Sequence, residues 1–260
     1  MALFEMRFHS DSLKTSVSVN VIIPENAKTL IGMTSDGAAN FKTLYLLHGL
    51  SDDHSIWLRR TSIERYAADF GIAVVMPCVG RSWYTDTAYG AKYFTFVSEE
   101  LPTACRRFFR GMSDRPEDNM IAGLSMGGYG AIKTALSCPD KFAYCASLSG
   151  ALDIADFMHN LPWNEVKGNF GFEIKGADEL NCTEHDVYHL ARRYKEEGHT
   201  FPKMYIWCGT EDGLLPSSRK FSELLTQLGV EHKYKESEGN HSWKYWDMHI
   251  QSALHFLLDE

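Results

Sequence analysis

A serine with glycines two positions away on each side stands near the middle of the chain, where residues 123–127 read G-L-S-M-G. This G-x-S-x-G pattern is typical of a nucleophile elbow, a sharp strand-to-helix turn that exposes a serine hydroxyl. Glycines fit there because side chains at their positions would collide with neighbouring elements. An apolar run precedes the motif and a helical pattern follows it, so the sequence predicts Ser125 as a nucleophile. A glycine-rich turn with a passenger serine is the alternative.

A serine hydroxyl is a weak nucleophile until a base, usually histidine, takes its proton. In folds that carry this elbow, an acid and then a histidine follow the serine, each on a loop after a strand. Asp212 follows the predicted strand 204–208, and His241 lies on a loop after the predicted strand 230–236. The sequence therefore predicts His241 as the base and Asp212 as the acid that orients it.

Other residues compete for both roles. Glu211 is adjacent to Asp212, and Asp153 follows the strand after the elbow. Asp212 could also be a turn residue before Gly213. Among the eleven histidines, only His241 follows a late strand on a loop. The histidines that lie within or beside predicted strands and helices are His199, His232 and His249.

Two backbone N–H groups are candidates for an oxyanion hole. The Met126 N–H lies at the start of the helix that follows the elbow, where it can point at a developing negative charge. The second donor should come from the loop after the predicted strand 43–47. Gly49 lets that loop turn its N–H groups inward, so Leu50 is the candidate, and His48 is expected to support the loop.

Four aromatic residues lie in or beside loops at the predicted active edge and could line a substrate pocket. They are Trp83, Tyr84, Trp243 and Trp246. For Trp246, which has helical spacing, packing in the core is an equally good interpretation.

Buried apolar runs alternate with helical patterns through the middle of the chain. The predicted strands are 15–23, 43–47, 72–76, 119–122, 142–148, 204–208 and 230–236. The predicted helices are 55–70, 93–110 (kinked or divided at Pro102), one from the elbow to about Ser137, 184–196 (capped by Thr183 or Asn181), 217–228 and 242–258. This alternation predicts an α/β fold with a mainly parallel sheet covered on both faces. Residues 25–40 read as a hairpin or loop, and an N-terminal hairpin would add antiparallel strands.

The length of 260 residues suits one α/β domain over 1–260, with a weakly periodic, cap-like insertion at about 151–183. A net charge of −8 argues against nucleic acid or an anionic membrane as a partner. No apolar run approaches the length of a membrane span. Six cysteines without C-x-x-C spacing indicate neither a zinc site nor a redox motif. No other metal-ligand spacing occurs, and the N-terminus lacks a signal-peptide pattern, so we expect a cytoplasmic protein.

Seven short motifs are spread over nearly the whole chain: HGL at 48–50, RSWYTD at 81–86, SEELP at 98–102, GLSMGGYGA at 123–131, SGALD at 149–153, Asp212 in G-x-x-D, and NHSW at 240–243. Taken together, they resemble the esterase D-like branch of the α/β-hydrolases, with the closest likeness to the tributyrin esterase group of bacterial carboxylesterases. The resemblance implies an α/β-hydrolase fold with Ser125, Asp212 and His241 as the catalytic residues. It also implies Leu50 and Met126 as the oxyanion donors.

The same branch includes S-formylglutathione hydrolases, acetyl and feruloyl esterases, and mycolyltransferases. The thioesterase relatives usually have histidines where this chain has Leu124 and Tyr129, which disfavours the formylglutathione interpretation. We therefore expect a serine carboxylesterase that acts on small, short-chain acyl esters without a cofactor or metal. A thioesterase, a carbohydrate acetyl or feruloyl esterase, and a non-catalytic binding protein of the same fold are the alternatives. The oligomeric state is not predicted.

Overall fold

A single sheet passes through the protein, and its strands are the apolar runs of the sequence. The computed structural model describes residues 1–25 and 40–258. The strands in this part of the chain are β1 Ala2–Ser10, β2 Thr15–Ile23, β3 Thr43–Leu47, β4 Ala73–Pro77, β5 Asn119–Leu124, β6 Tyr144–Leu148, β7 Lys203–Gly209 and β8 His232–Ser237. Its α-helices are α1 Ile56–Arg60, α2 Ile63–Phe70, α3 Tyr93–Thr95, α4 Leu101–Phe108, α5 Met126–Ser137, α6 Ile154–Met158, α7 Trp163–Phe170, α8 Val187–Glu196, α9 Leu215–Gln227 and α10 Trp243–Leu258.

The strand order is β1-β2-β4-β3-β5-β6-β7-β8. β1 pairs antiparallel with β2, and β2 pairs antiparallel with β4. From β4 to β8 every neighbouring pair is parallel. The predicted α/β-hydrolase fold, with a mainly parallel sheet and antiparallel N-terminal strands, is confirmed. The parallel strands end at one edge of the sheet, where the loops after β3, β5, β7 and β8 can meet.

Apolar side chains cover both faces of the sheet. In β3, Tyr45 and Leu47 pack into a core with α5, α8 and α9, whereas Leu44 and Leu46 pack into a second core with α1, α2 and α10. Successive strand residues point to opposite faces, so a strand that is covered on both sides must be apolar throughout. This is why β3 reads as a continuous apolar run.

The first strand of the sheet was not among the predicted strands. β1 forms a hairpin with β2, in a register that pairs Glu5 with Asn20. The alternation of Phe4, Met6 and Phe8 with polar residues is the signal for it, but β1 is an edge strand and much of its surface remains exposed. The hairpin or loop expected at 25–40 falls mostly on residues 26–39, which lie outside the described residues.

Two predicted helices begin or divide at other positions. The helix expected over 55–70 is two helices, because the Thr61 hydroxyl donates to Trp57 O at 2.6 Å and accepts from Ile63 N at 3.1 Å. α8 begins at Val187 and is capped by Asp186, whose carboxylate accepts the N–H of Tyr188 at 2.9 Å. The expected caps, Thr183 and Asn181, lie before that point.

Pro102 divides its helix, as predicted, but through a π-helical turn at Phe96–Glu100 that joins α3 to α4. Proline has no N–H with which to bond the carbonyl four residues earlier. That carbonyl belongs to Ser98, and Lys141 Nζ donates to it at 3.0 Å. A lysine from the loop before β6 therefore replaces the hydrogen bond that Pro102 cannot make.

The segment 151–183 contains α6, α7 and a 3₁₀ turn at Ala177–Leu180. It is fastened to the loop after β4. Arg81 forms a two-point ion pair with Glu165, and Asn169 Nδ2 donates to Arg81 O at 3.0 Å. Its description as a cap-like insertion within a single domain remains a prediction.

None of the described helices is both long enough and apolar enough to cross a membrane.

Candidate active site

Ser125 stands between β5 and α5 in a strained backbone conformation. Its φ is 53° and its ψ is −119°, a region that non-glycine residues rarely adopt. The surrounding structure holds it there, since Ser125 N donates to Leu148 O at 3.0 Å and Ser125 O accepts from Tyr129 N at 3.1 Å. Strain of this kind persists where neighbouring contacts over-determine the turn, and it is concentrated at functional sites.

The glycines around Ser125 allow β5, α5 and the end of β3 to approach one another closely. A Cβ atom placed on Gly123 would lie 2.9 Å from Leu47 Cβ. One placed on Gly127 would lie 2.7 Å from His48 O and 2.8 Å from Leu47 C. Such contacts are too short for any side chain, so the motif's two glycines are required by packing against β3.

The side chains of Ser125, His241 and Asp212 form one hydrogen-bonded chain. His241 Nε2 lies 3.0 Å from Ser125 Oγ, and His241 Nδ1 lies 2.9 Å from Asp212 Oδ2. An ionised carboxylate can only accept, so Nδ1 carries the proton and Nε2 is free to accept the serine hydroxyl. This tautomer leaves the imidazole able to remove a proton from Ser125.

Asp212 is held as an anion although its side chain is only 1% exposed. Burial alone would raise the pKa of this carboxyl. Hydrogen bonds from His241 and from the Leu214 N–H, which lies 2.9 Å from Oδ1, outweigh burial and keep the pKa below its ordinary value. The carboxylate can therefore orient and stabilise a protonated His241.

The competing acids and histidines do not bond to Ser125 or His241. Glu211 is exposed to solvent. Asp153 caps α6 and pairs with Lys220 Nζ at 2.6 Å. The three competing histidines bond elsewhere, namely His199 with Glu197 at 3.3 Å, His232 with Ser222 at 2.7 Å and His249 with Ser237 at 3.2 Å.

Trp246 supports His241 from the first turn of α10. Its ring meets the imidazole edge-on with centroids 4.8 Å apart, and its Nε1 donates to Ser149 Oγ at 3.1 Å. Trp243 packs edge-on against Trp246 at 5.3 Å and remains only half-buried. Of the two predicted pocket residues on α10, Trp246 therefore contacts the histidine and Trp243 keeps a free surface.

His48 supports the loop after β3. Its Nδ1 donates to Gly49 O at 2.7 Å, its Nε2 accepts the Val79 N–H at 3.1 Å, and its carbonyl accepts the Tyr84 hydroxyl at 2.8 Å. Burial lowers the pKa of His48 to about 4, so the imidazole is neutral and its tautomer is fixed. The loop is thus anchored at both the side chain and the backbone of one residue.

The loop that carries Leu50 and the first residue of α5, Met126, both adjoin Ser125. Met126 is the first residue of α5, directly after the serine. A Cβ atom placed on Gly49, the residue before Leu50, would lie 3.7 Å from Ser125 Cβ. Within residues 1–25 and 40–258, no protein acceptor bonds to the N–H of Leu50 or Met126. Both donors are available to a ligand atom.

Trp83 and Tyr84 were expected to line a substrate pocket, but the structure places them in the core. Neither side chain has any solvent-exposed surface. Trp83 packs between Phe157 and Tyr129, with ring centroids 5.0 and 6.0 Å away. Tyr84 packs against Gly130, where a Cβ atom would lie 3.1 Å from the tyrosine Cβ. The two rings therefore stabilise the core behind the elbow and have no surface available to a substrate.

Comparison with known proteins adds to this geometry. The Esterase family model, described as "Putative esterase", matches residues 10–257. An acetyl esterase of Caldicellulosiruptor saccharolyticus is 29% identical over 99% of this chain and 98% of its own length. The substrate-bound structure of fluorophosphonate-binding serine hydrolase F (FphF) from Staphylococcus aureus has a TM-score of 0.88 and 34% identity, covering 100% of this chain and 99% of that one. The S-formylglutathione hydrolase FrmB of the same organism, as apoenzyme, has a TM-score of 0.86 and 34% identity over 99% of both chains.

The fold and these matches define a carboxylic ester hydrolase with the α/β-hydrolase fold. The chain belongs to the esterase family whose model spans nearly its whole length. The predicted esterase relationship is thereby confirmed, whereas the closer likeness to tributyrin esterases remains a prediction.

Proposed function

We propose that this protein is a serine carboxylesterase that hydrolyses short-chain acyl esters of small alcohols. Ser125 is the nucleophile, His241 the general base and acid, and Asp212 the residue that orients the imidazole. The observation that carries the proposal is the unbroken hydrogen-bond chain from Ser125 Oγ to His241 at 3.0 Å and from His241 to Asp212 at 2.9 Å.

In the proposed reaction, His241 Nε2 takes the hydroxyl proton as Ser125 Oγ attacks the ester carbonyl. The N–H groups of Leu50 and Met126 stabilise the oxyanion that forms. His241 then gives its proton to the departing alcohol oxygen, leaving an acyl group on Ser125. Water attacks this acyl-enzyme by the same route and releases the acid. No step requires a cofactor or a metal ion.

The preference for short acyl groups is supported by similarity to a relative described as an acetyl esterase over almost its whole length. It also agrees with the resemblance of the sequence motifs to tributyrin esterases. A series of p-nitrophenyl esters from acetate to decanoate tests the preference. We expect kcat/KM to be highest for acetate to butyrate and to fall for longer chains.

Replacing Ser125 with alanine tests the nucleophile. Because the acyl-enzyme cannot form, kcat for p-nitrophenyl acetate should fall by about 10⁴ to 10⁶. The variant should keep the circular dichroism spectrum and Tm of the parent, since only one oxygen atom is removed. A fluorophosphonate probe should label the parent and leave the variant unlabelled.

Retained turnover in the Ser125→Ala variant would refute the assignment of the nucleophile. Failure of the parent to react with the probe would instead favour the non-catalytic binding protein. Replacement of the exposed Ser51 with alanine controls for nonspecific loss of activity.

A thioesterase is the second candidate, because the similar FrmB structure is described as an S-formylglutathione hydrolase. Leu124 and Tyr129 argue against it, since the sequence resemblance associates histidines with those positions. Comparing kcat/KM for S-formylglutathione with that for p-nitrophenyl acetate separates the two candidates.

We propose a cytoplasmic location, supported by six cysteines that are all free thiols.

A further inference from the structure

Asp52 is a half-buried acid on the loop that carries Leu50, and none of the sequence motifs singles it out. Its N–H donates to Gly49 O at 3.2 Å, which turns the loop back on itself. A Cβ atom placed on Gly49 would lie 3.1 Å from Asp52 Oδ2 and 3.7 Å from Ser125 Cβ. The carboxylate and the proposed nucleophile therefore flank the same glycine.

The Asp52 carboxylate has unused capacity to accept hydrogen bonds. Burial raises the pKa of Asp52, while the Gly49 N–H and the charge of Arg60 oppose that rise. In the described part of the chain, no side chain donates a hydrogen bond to this carboxylate. Its neighbour Asp53 differs, since one of its oxygens accepts both the N–H and the hydroxyl of Ser55, at 2.8 and 2.6 Å.

Asp52 lies beside the site at which an ester would react with Ser125. In the proposed reaction His241 Nε2 hands its proton to the departing alcohol oxygen, so the alcohol lies beside the imidazole. The Asp52 carboxylate and Ser125 lie on either side of Gly49, so the carboxylate borders the site in which the ester would react. The half-buried Trp243 indole packs on the same Trp246 ring as His241, with centroid distances of 5.3 and 4.8 Å. An anionic group and an aromatic surface thus lie near the departing alcohol.

A carboxylate that is half out of water and short of donors is stabilised by a positively charged ligand group, and an indole face attracts cations as well. We propose that Asp52 is a specificity-determining residue that favours esters of ammonium-bearing alcohols over neutral or anionic ones. This inference rests on the proposed function, because it assigns the alcohol side of that same site. The charge, rather than the shape, of the alcohol is what Asp52 distinguishes.

A matched pair of acetate esters isolates charge from shape. Acetylcholine and 3,3-dimethylbutyl acetate are nearly isosteric, and only the first carries a positive charge. Two unit charges several ångströms apart near a protein surface should change kcat/KM by a factor of about 3 to 10, less at high salt. We therefore expect the parent to prefer acetylcholine by that factor in dilute buffer and to lose most of the preference in 1 M NaCl.

The Asp52→Asn variant removes the charge and keeps the size of the side chain. It should bring the ratio of the two kcat/KM values close to one. Asp53→Asn is the matched control, because it removes the same formal charge one residue away, where the carboxylate is held by Ser55. That control should keep the ratio of the parent. Choline and 3,3-dimethylbutanol, compared as inhibitors of p-nitrophenyl acetate hydrolysis, measure the same preference when acetylcholine is a poor substrate.

A parent without preference for the cation in either assay would overturn the proposal, as would a preference that Asp52→Asn leaves unchanged. These results are distinct from failure of the proposed function. That failure would appear as p-nitrophenyl acetate turnover that survives in Ser125→Ala, or as no turnover by the parent. A ratio between two ligands reports on the charge of Asp52, because a merely structural role of the residue would not change that ratio.

Discussion

At the level of single residues, the role proposed for Asp212 is to fix which nitrogen of the His241 imidazole is turned toward Ser125. Asp212 is buried and accepts hydrogen bonds from both His241 Nδ1 and the Leu214 N–H. An asparagine there could turn its amide toward Nδ1, which would move the imidazole proton to Nε2. A histidine protonated at Nε2 cannot accept the Ser125 hydroxyl.

The Asp212→Asn variant should therefore lose about 10⁴ in kcat for p-nitrophenyl acetate while folding normally. The Glu211→Gln variant is the matched control, since it changes the adjacent acid, which is exposed. It should keep kcat within about twofold, because surface changes of this kind have small effects. A larger loss in Glu211→Gln than in Asp212→Asn would mean that the adjacent glutamate is the orienting acid.

At the scale of elements, the site depends on how closely the elbow between β5 and α5 approaches the end of β3. Gly127 lies against the carbonyls of Leu47 and His48, which are backbone atoms that cannot rotate away. His48 also anchors the loop that carries Leu50. A change that separates these elements would move the proposed oxyanion donors and the nucleophile together.

The Gly127→Ala variant should lower the free energy of unfolding by about 1 to 3 kcal/mol, because the added methyl group overpacks this contact. It should also reduce kcat more than it raises KM. Gly176→Ala is the control, since a Cβ atom there would meet no atom within 4 Å. Chemical denaturation of both variants measures the difference, and equal stability of the two would contradict the packing argument.

At the scale of the whole molecule, burial keeps three histidines neutral. Burial lowers the pKa of His48 to about 4, of His185 to about 3 and of His249 to about 4. In the unfolded chain these imidazoles would bind protons below about pH 6.5. Between that pH and 4 the unfolded state therefore binds more protons than the folded state, so stability falls as the pH is lowered through this window.

The free energy of unfolding should decrease by about 2 kcal/mol per such histidine between pH 7 and pH 5. Urea denaturation at several pH values measures this decrease. His48→Gln should make the pH dependence shallower by about that amount, because an amide does not titrate. His9→Gln, which changes a histidine with a side chain 64% exposed, should leave the slope unchanged. A parent equally stable at pH 5 and pH 7 would contradict the prediction.

The fold class and the candidate nucleophile can be inferred from the order of residues alone. Apolar runs such as Thr43–Leu47 are local, and so is the G-x-S-x-G pattern around Ser125, so each can be read within a few residues. The order of strands, and the loops that follow them, then narrowed the acid and the base to Asp212 and His241. Whether the side chains of Ser125, Asp212 and His241 meet could not be inferred from their spacing in the sequence. Their positions are set by strands that are far apart in the chain.

Which residues are buried, and which contact one another, follows only from the folded arrangement of the chain. It placed Trp83 and Tyr84 wholly inside the core, although their loop follows a strand at the active edge. It also brought Asp52 beside Ser125, a residue more than seventy positions away along the chain. Burial and long-range contact depend on how helices and strands pack together, and no local pattern of residue types encodes that packing.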